Sequence, residues 1–170
     1  GCRGLFLGIE TITGKMAKSV SVEKYKELIA RLHDYGIAVL GAFVFGVTED
    51  DDPSLFERTV EWGIEAKLDL AQFSVNTPEP GARDFEYAVR NDLITDWNWE
   101  HYDAEHPVRK FAKITPQQMF EGHTNANRWF YTATSAWKRL KPSFKDLLNL
   151  RNGRRGTLVS AINAYLAGTA

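Results

Sequence analysis

The sequence predicts an α/β fold built around a parallel sheet. Three short apolar segments of strand length, 5–9, 37–45 and 68–75, alternate with two amphipathic segments of helical periodicity. Short strand–helix–strand connections form right-handed crossovers, which place successive strands side by side in the same direction. Three strands with only two helices complete neither a barrel nor an open sheet, so the fold is an incomplete form of one of them. Its exposed strand edges need another segment or chain to cover them.

Composition excludes several classes of protein. The chain has 170 residues, of which 44% are hydrophobic and 25% are charged, as in ordinary globular domains. A formal net charge of −1 argues against nucleic-acid binding, because offsetting phosphate needs a basic excess. The longest apolar run, 37–47, falls short of the ~20 residues that a membrane helix needs.

Cysteine usage points to a reducing compartment. The single cysteine, Cys2, excludes a disulfide within the chain and a zinc site built on several thiolates. We therefore expect a cytoplasmic protein. The chain opens on Gly1 rather than on methionine and reaches a strand within a few residues, so we expect its true start to lie upstream.

The first helix follows the first strand and has clear signals at both ends. Its apolar residues share one helical face and its charged residues take the other. Ser21 is a favourable N-cap and Gly36 a C-terminal stop. An acidic turn at 48–52 precedes the second helix, for which Asp52 is predicted as the N-cap and Pro53 as the first helical residue.

The third strand has one polar face. Gln72, Ser74 and Asn76 alternate with apolar neighbours, which puts their side chains on the same side of the strand. We interpret that side as the wall of a cavity, and a polar edge that faces water is the alternative. The loop 77–81, with two prolines and a glycine, follows as a rigid turn.

The second half of the chain is predicted to be mainly helical. A short helix is expected over 84–92, and an aromatic stretch without a clear period follows it. Thr115 and Gln118 form a capping box, with proline at the first helical position, for a long helix that runs to about residue 140. A last apolar helix is expected over 157–166.

Several short segments between residues 1 and 140 carry a family resemblance, in order along the chain. They are 1–11, 32–37, 41–46, 50–59, 71–73, 77–81, 97–103, 119–122 and 128–131. The segments up to residue 81 resemble the fourth to sixth strands, with their helices and loops, of the partial barrel of radical S-adenosylmethionine enzymes. The later segments resemble the extension found in the branch of that family with an upstream cobalamin-binding domain.

This resemblance implies the C-terminal half of a partial (β/α)6 TIM-like barrel, followed by a helical extension. It assigns residues 1–92 to the half-barrel and 93–170 to the mainly helical extension. In the family a 4Fe–4S cluster is bound by three cysteines in a C-x-x-x-C-x-x-C loop, which this chain lacks. The cluster ligands are therefore expected on a missing N-terminal half or on a partner chain, and cobalamin on an upstream domain.

The resemblance also assigns cofactor contacts, since the family binds S-adenosylmethionine at the carboxyl ends of the barrel strands. The candidate residues are Glu10, Lys18, Gly46, Gln72, Ser74 and Asn76. The Glu10 carboxylate suits hydrogen-bond donors of the ribose or methionyl part, and the alternative is a capping or solvent-exposed glutamate. Lys18 matches a position that meets the cofactor's carboxylate, and the alternative is a surface lysine. Gly46 matches a position where the backbone approaches adenine, and the alternative is a turn glycine.

By this resemblance, the full enzyme cleaves S-adenosylmethionine reductively, and a 5′-deoxyadenosyl radical abstracts hydrogen from an unreactive carbon of a small-molecule substrate. Some members then deliver a methyl group from cobalamin, and others carry out cyclisation or rearrangement. Half-barrels of aldolase or phosphate-binding type are an alternative, since they share the alternation of strands and helices. They need a lysine or a phosphate loop at a strand end, and we find no convincing one in the sequence. A non-catalytic scaffold that completes a partner's sheet is a third class.

Two clusters have weak metal-like spacing. The carboxylates of 49–52 are better explained by capping and by the dipole of the following helix. His101, Asp103 and His106 share no helical or strand register. We therefore assign no metal ligand in this chain.

Overall fold

Three parallel strands form the centre of the computed structural model, which describes residues 1–13 and 21–139. The strands are β1 (Gly4–Glu10), β2 (Ala38–Phe45) and β3 (Leu70–Val75), side by side in that order. Both pairings are parallel, which confirms the predicted parallel sheet. The helix predicted at 157–166 lies outside the described residues.

Helices connect the strands and follow the last of them. Those with defined bounds are α1 (Val22–Asp34), α2 (Ser54–Glu65), α3 (Arg83–Arg90), a short 3-10 helix (Trp99–His101) and α4 (Pro116–Phe130). Ser21 caps α1 by accepting a hydrogen bond from Lys24 N–H at 3.4 Å, and Gly36 adopts a φ of +69° beyond its end, as predicted. None of these helices combines the length and hydropathy needed to cross a bilayer.

One face of the sheet is packed against helices and forms the core. Alternate residues of the two later strands are buried there, among them Val39, Phe43 and Phe73. The ring of Phe73 lies 5.5 Å from that of Phe43, 5.7 Å from that of Phe45 and 5.8 Å from that of Phe130 on α4. Residues on both sides of position 92 therefore share one core, and the assignment of two domains stays a prediction.

The opposite face of the sheet is more exposed, and we call it the open face. Gly8, Ala42 and Gln72 lie across it in register. Phe6, on the same side of β1 as Gly8, is 62% exposed. Parallel sheets are normally covered on both faces. In the part of the chain that the structure describes, the covering layer of this face is incomplete.

Side chains close the outer edge of β3. The Tyr131 hydroxyl accepts a hydrogen bond from Ala71 N–H at 3.2 Å and donates one to Ala71 C=O at 2.7 Å. His123 Nε2 donates to Phe73 C=O at 2.9 Å. At the other end of the sheet, Leu5 on β1 is 39% exposed. Side chains therefore occupy backbone groups on the outer edge of β3, whereas the strand at the opposite edge, β1, carries an exposed apolar side chain.

The prediction of one continuous helix to about residue 140 is wrong, because α4 ends at Phe130. Its predicted capping box is present. Thr132 explains the break, since its hydroxyl accepts a hydrogen bond from Ser135 N–H at 3.2 Å and caps a new helical segment that begins at residue 133. The break changes the helical phase, and Trp137, predicted on the apolar stripe, is 57% exposed.

The second helix begins one residue later than predicted. Pro53 precedes α2 rather than opening it, and the side chain of Asp52 accepts a hydrogen bond from Ser54 N–H at 2.8 Å. The hydrogen bonds with Ser54 hold the pKa of Asp52 below its ordinary value of 3.8. Asp52 therefore satisfies a free N–H of the helix end, although it lies one position further from the helix than expected.

Candidate functional site

Glu10 ends β1 in a strained turn. Its φ of +64° lies in the left-handed region, which costs a residue with a side chain about 1–2 kcal/mol. Thr11 N–H donates to Ile9 C=O at 2.8 Å across it, and the pairing with β2 shifts between Gly8 and Glu10. The chain therefore bulges at the carboxyl end of β1. Backbone strain of this kind concentrates at functional sites.

The bulge places the Glu10 carboxylate against Gly8. A Cβ added to Gly8 would lie 2.6 Å from Glu10 Oε1, so glycine leaves the room that the carboxylate occupies. The Tyr25 hydroxyl of α1 donates to Gly8 C=O at 3.2 Å and holds the same stretch. Glu10 thus lies at the carboxyl end of β1, as the sequence predicts, and its contact with a cofactor stays a prediction. Lys18 lies outside the described residues.

Gly46 and Asn76 come together at the carboxyl ends of β2 and β3. Asn76 Nδ2 donates to Gly46 C=O at 3.1 Å, and its backbone N–H donates to Phe45 C=O at 2.8 Å. Gly46 has a φ of +78°, and a Cβ there would overlap the ring of Phe111. Backbone conformation and packing alone require this glycine, and its contact with adenine stays a prediction.

Asp51 holds the loop that follows β2. Its residue is 4% exposed. Its carboxylate accepts hydrogen bonds from Gly46 N–H at 3.1 Å, from Thr48 N–H at 3.3 Å and from the Thr48 hydroxyl at 2.6 Å. Three donors satisfy this buried carboxylate. The acidic turn at 48–52 thereby shapes the rim of the sheet at the end of β2.

A cavity of about 550 Å³ lies beside this loop. Its walls are the carboxyl ends of β2 and β3, one side of α3 and the segment 109–112. Arg109 Nη1 donates to Asp84 Oδ2 at 2.7 Å and ties the last two walls together. Other residues of the lining are Gly46, Asn76, Tyr87, Asn91 and Leu93. The volume is in the range of small-molecule sites.

A second cavity, of about 510 Å³, runs along the outer edge of β3. Gln72 and Ser74 line it, together with α4 and the segment 103–105. Gln72 is exposed and Ser74 is half-buried. Both interpretations of the polar face are thus met in part, since these residues line a cavity and that cavity meets water.

The predicted cofactor residues that the structure describes are distributed differently with respect to these two cavities. Glu10 lines neither of the two, Gly46 and Asn76 line the first, and Gln72 and Ser74 line the second. That the three polar residues of the third strand line one wall stays a prediction, and of the three it is Asn76 that bonds the end of the neighbouring strand. Its amide turns toward β2, because the Gly46 carbonyl needs a donor there.

The described residues do not fit a 4Fe–4S cluster. Cys2 is exposed, and its thiol donates to Gly4 C=O at 3.4 Å, before the amino end of β1. Among residues 1–13 and 21–139, no group of three or more His, Cys, Asp or Glu side chains is placed to hold a metal ion. Such a cluster needs cysteine thiolates in a number that this chain does not have.

Imidazole–carboxylate pairs account for the histidines near residue 100. His101 Nδ1 lies 2.6 Å from Asp96 Oδ2, His106 Nδ1 lies 2.7 Å from Asp103 Oδ2, and the two rings stack with centroids 4.8 Å apart. The hydrogen bond with Asp96 raises the pKa of His101. Partial burial raises the pKa of Asp103, but hydrogen bonds from the backbone N–H groups of His106 and Glu105 and from the imidazole outweigh it and lower the pKa to about 2.

Sequence reasoning missed the polar residues that close the sheet from the C-terminal side. Tyr131 and His123 bond backbone groups of β3, as described above. Arg139 donates to the C=O groups of Leu68 at 3.0 Å and Asp69 at 2.7 Å. These partners are at least 50 positions apart, so no local pattern marks them.

Comparison with known proteins places the chain beside methyltransferases. No protein-family model matches it. An uncharacterized methyltransferase of Pyrococcus horikoshii is 28% identical over 123 residues, which are 70% of this chain and 27% of that protein. The bacteriochlorophyllide d C-12(1)-methyltransferase of Chlorobaculum tepidum is 26% identical over 146 residues, 83% of this chain and 31% of that enzyme.

A second enzyme of Chlorobaculum tepidum, the bacteriochlorophyllide d C-8(2)-methyltransferase, is 27% identical over 122 residues, 68% of this chain and 27% of that enzyme. The chain thus spans less than a third of the length of each of these curated relatives. Over most of its own length, it is similar to one region of three methyltransferases.

Proposed function

We propose that this chain is the C-terminal half of the catalytic barrel of a radical S-adenosylmethionine methyltransferase. Glu10 carries the proposal: it is a strained, half-buried glutamate at the carboxyl end of β1, with its carboxylate against Gly8 on the open face. Similarity to methyltransferases over 70%, 83% and 68% of the chain supports methyl transfer as the reaction.

The two edges of the sheet support a half-barrel. Tyr131 and His123 occupy backbone groups on the outer edge of β3, where a further strand would have to pair. The exposed side chains of Leu5 and Phe6 lie on β1, at the other edge. We propose that a preceding segment adds its strands beyond β1 and covers the open face, and that the described part of the extension, 93–139, finishes the β3 side.

Residues at the carboxyl edge of the sheet fit part of S-adenosylmethionine. The Glu10 carboxylate accepts hydrogen bonds only, which suits the ammonium group or the ribose hydroxyls of the cofactor. Gln72 and Ser74 offer further polar groups on the open face. In this proposal the backbone of Gly46 would approach the adenine.

The iron–sulfur cluster and cobalamin must be held elsewhere. Cys2 is the only cysteine of the chain; it precedes β1, whereas Glu10 is the last of the seven residues of that strand, which rises about 3.3 Å per residue. We place the cluster on a preceding N-terminal half or on a partner chain, and cobalamin on an upstream domain. The residues of this chain would orient S-adenosylmethionine and exclude water from the reacting atoms.

The acceptor in this proposal is a carbon atom of a small organic molecule. Two of the relatives are named for methylating bacteriochlorophyllide d. Radical chemistry suits a carbon atom that carries no acidic hydrogen. Such an acceptor agrees both with the family resemblance and with the names of those two relatives.

A non-catalytic subunit that completes another chain's sheet is the second candidate. The exposed edge of β1, with Phe6 62% exposed, favours it as much as it favours a half-barrel. The two candidates differ in what precedes this sequence or lies beside it in the genome. A C-x-x-x-C-x-x-C loop in the same reading frame favours the enzyme.

The first experiment recovers the full reading frame and reconstitutes the full-length protein with iron and sulfide under anaerobic conditions. We expect cluster absorption in the visible spectrum and 5′-deoxyadenosine formation from S-adenosylmethionine. The 170 residues alone are expected to show neither the cluster absorption nor the formation of 5′-deoxyadenosine. A reading frame without the cysteine loop, with no neighbouring gene that encodes one, would overturn the proposal in favour of the scaffold.

The second experiment tests Glu10 by substitution. Glu10→Gln removes the charge at similar size, and we expect affinity for S-adenosylmethionine to fall about tenfold, since a hydrogen bond to a charged group contributes about 1.5–3 kcal/mol. Glu27→Gln is the matched control, because Glu27 is exposed on α1. Equal affinity of both variants in calorimetry would remove Glu10 from the site.

A further inference from the structure

Aromatic rings from two separate segments meet on the surface, and we call them the ring cluster: Phe85, Trp97, Trp99 and Tyr102. The ring of Phe85 lies 6.3 Å from each of the two indoles, and the indoles lie 6.2 Å from each other. Tyr102 approaches Trp99 to 4.8 Å. The rings therefore form a connected surface rather than scattered apolar side chains.

The two indoles at the centre of the ring cluster remain open to solvent. Trp97 is 55% exposed and Trp99 is 56% exposed. Aromatic side chains carry a large apolar area, and neighbouring exposed rings make a contiguous patch. Contiguous apolar patches mark binding surfaces, whereas single exposed apolar residues carry no such meaning.

The ring planes form a corner. The plane of Trp97 stands at 83° to that of Trp99 and at 88° to that of Phe85. Phe85 and Trp99 are tilted by only 37° from each other. A flat conjugated molecule can stack on one indole while its edge meets the other, which are the two arrangements that aromatic rings prefer. A saturated molecule of similar size has no π face for either arrangement and gains only general apolar contact.

The ring cluster stands at the same edge of the sheet as Glu10. Val75 ends β3, and its N–H donates to the C=O of Ala104, two residues after Tyr102, at 2.7 Å. α3, which carries Phe85, directly follows β3 along the chain. Neighbouring strands lie about 4.8 Å apart, so the carboxyl ends of β1 and β3 are roughly 10 Å apart.

Charges around the ring cluster disfavour a phosphate-bearing ligand. Asp96 and Glu100 flank the two tryptophans in sequence. Arg90 pairs with Glu86 at 2.8 Å, and the imidazole of His101 pairs with Asp96 at 2.6 Å, so both groups already have acidic partners. The net charge of −1 points the same way, since nucleic-acid binding needs a basic surface.

We propose that the ring cluster binds the flat, conjugated part of the substrate, and that the substrate therefore carries an extended π system. This inference rests on the proposed function, because it takes the carboxyl edge of the sheet as the place of reaction. It adds the chemical class of the acceptor and the residues that hold it, at the same edge of the sheet as Glu10.

The test is direct binding to the full-length protein by isothermal titration calorimetry. The probe is pheophorbide a, a flat conjugated macrocycle with a carboxylate, and the comparison is cholate, a rigid saturated carboxylate. We expect saturable binding of pheophorbide a and at least tenfold weaker binding of cholate. Trp97→Leu and Trp99→Leu are each expected to weaken pheophorbide binding about tenfold, since stacking on an aromatic side chain is worth about 1.4 kcal/mol or more.

Two further variants separate stacking from folding. Trp99→Phe keeps a flat ring and is expected to keep most of the affinity, and Trp129→Leu removes a tryptophan outside the ring cluster that is 36% exposed. Absence of binding, equal affinity for cholate, or equal losses in Trp99→Leu and Trp129→Leu would overturn the inference. The titration needs neither S-adenosylmethionine nor a cluster, so its result is independent of whether methyl transfer occurs.

Discussion

The Tyr131 hydroxyl bonds both backbone groups of Ala71, accepting from the N–H at 3.2 Å and donating to the C=O at 2.7 Å. A hydroxyl has one donor and two acceptor lone pairs, so one side chain replaces the pairing that another strand would supply at this residue. The edge of β3 is thereby protected against further strands. In the proposed half-barrel, the strands that complete the sheet therefore add beyond β1.

Tyr131→Phe is expected to lower the free energy of unfolding by about 1–3 kcal/mol, because it leaves the N–H and C=O of Ala71 without their partner. Urea unfolding followed by circular dichroism measures the change. Tyr87→Phe is the control, since Tyr87 is 51% exposed, and a change within about 0.5 kcal/mol is expected there. Equal effects of the two substitutions would contradict a role for Tyr131 in closing the edge.

Gly8→Ala is expected to displace the Glu10 carboxylate while the protein stays folded. The new Cβ would lie 2.6 Å from Glu10 Oε1, which is the far end of a flexible side chain and can rotate away. Affinity for S-adenosylmethionine, measured by calorimetry, should fall about tenfold with the melting temperature little changed. In Gly4→Ala the nearest atom is Ala38 O at 3.7 Å, an ordinary contact, so this control should bind normally. Normal binding by both variants would show that Gly8 does not position Glu10.

The strands were predictable because their signals are local. Short apolar runs between end signals such as Ser21 and Gly36 mark buried strands and amphipathic helices without knowledge of the rest of the fold. The break after Phe130 was not predictable in this way. Thr132 is tolerated inside a helix as well as at its start, and only the packing of Ser135 and its neighbours decides between the two.

The candidate site was predictable only in part, for the same reason. Glu10 was assigned through the family resemblance, and nothing in a glutamate marks a position with a φ of +64°. The amide of Asn76 donates to the carbonyl of Gly46, 30 positions away, and no local pattern marks that contact. The aromatic stretch that contains Trp97 and Trp99 was recognisable in the sequence, although it follows no helical or strand period. Its contact with Phe85 was not predictable, because that contact forms only in the folded chain.

Gly46→Ala is expected to destabilise the protein more than Gly81→Ala. Both glycines have positive φ, +78° and +87°, so the backbone cost of a side chain, about 1–2 kcal/mol, is common to them. A Cβ at Gly46 would overlap the ring of Phe111, whereas nothing lies within 4 Å of one at Gly81. The difference, about 1–3 kcal/mol from overpacking, is measured by urea unfolding of the two variants. Identical unfolding would mean that the ring of Phe111 moves aside freely.

Acid should weaken the segment that carries the ring cluster through Asp103. Folding lowers the pKa of Asp103 from 3.8 to about 2, so its contribution to stability is present above pH 3.8 and is lost as the pH falls through about 2. We expect the stability difference between the natural protein and Asp103→Asn to be constant near neutral pH and to shrink at the acid end. Unfolding by urea at a series of pH values measures it, and a difference that persists below pH 2 would contradict this assignment.

His101 should titrate above its ordinary value of 6.5 because Asp96 accepts its hydrogen bond. A raised pKa means that the contribution of this pair to stability is fully present below pH 6.5 and is lost as the pH rises through the raised value. Asp96→Asn removes the charge and is expected to return the pKa of His101 toward 6.5, as measured by the pH dependence of its imidazole proton resonances. Glu105→Gln is the control, since Glu105 is exposed and its backbone N–H, which bonds Asp103, is kept. An equal fall of the His101 pKa in both variants would contradict this cause. It would mean that the summed negative charge of the segment, rather than the hydrogen bond with Asp96, raises the pKa of His101 in the natural protein.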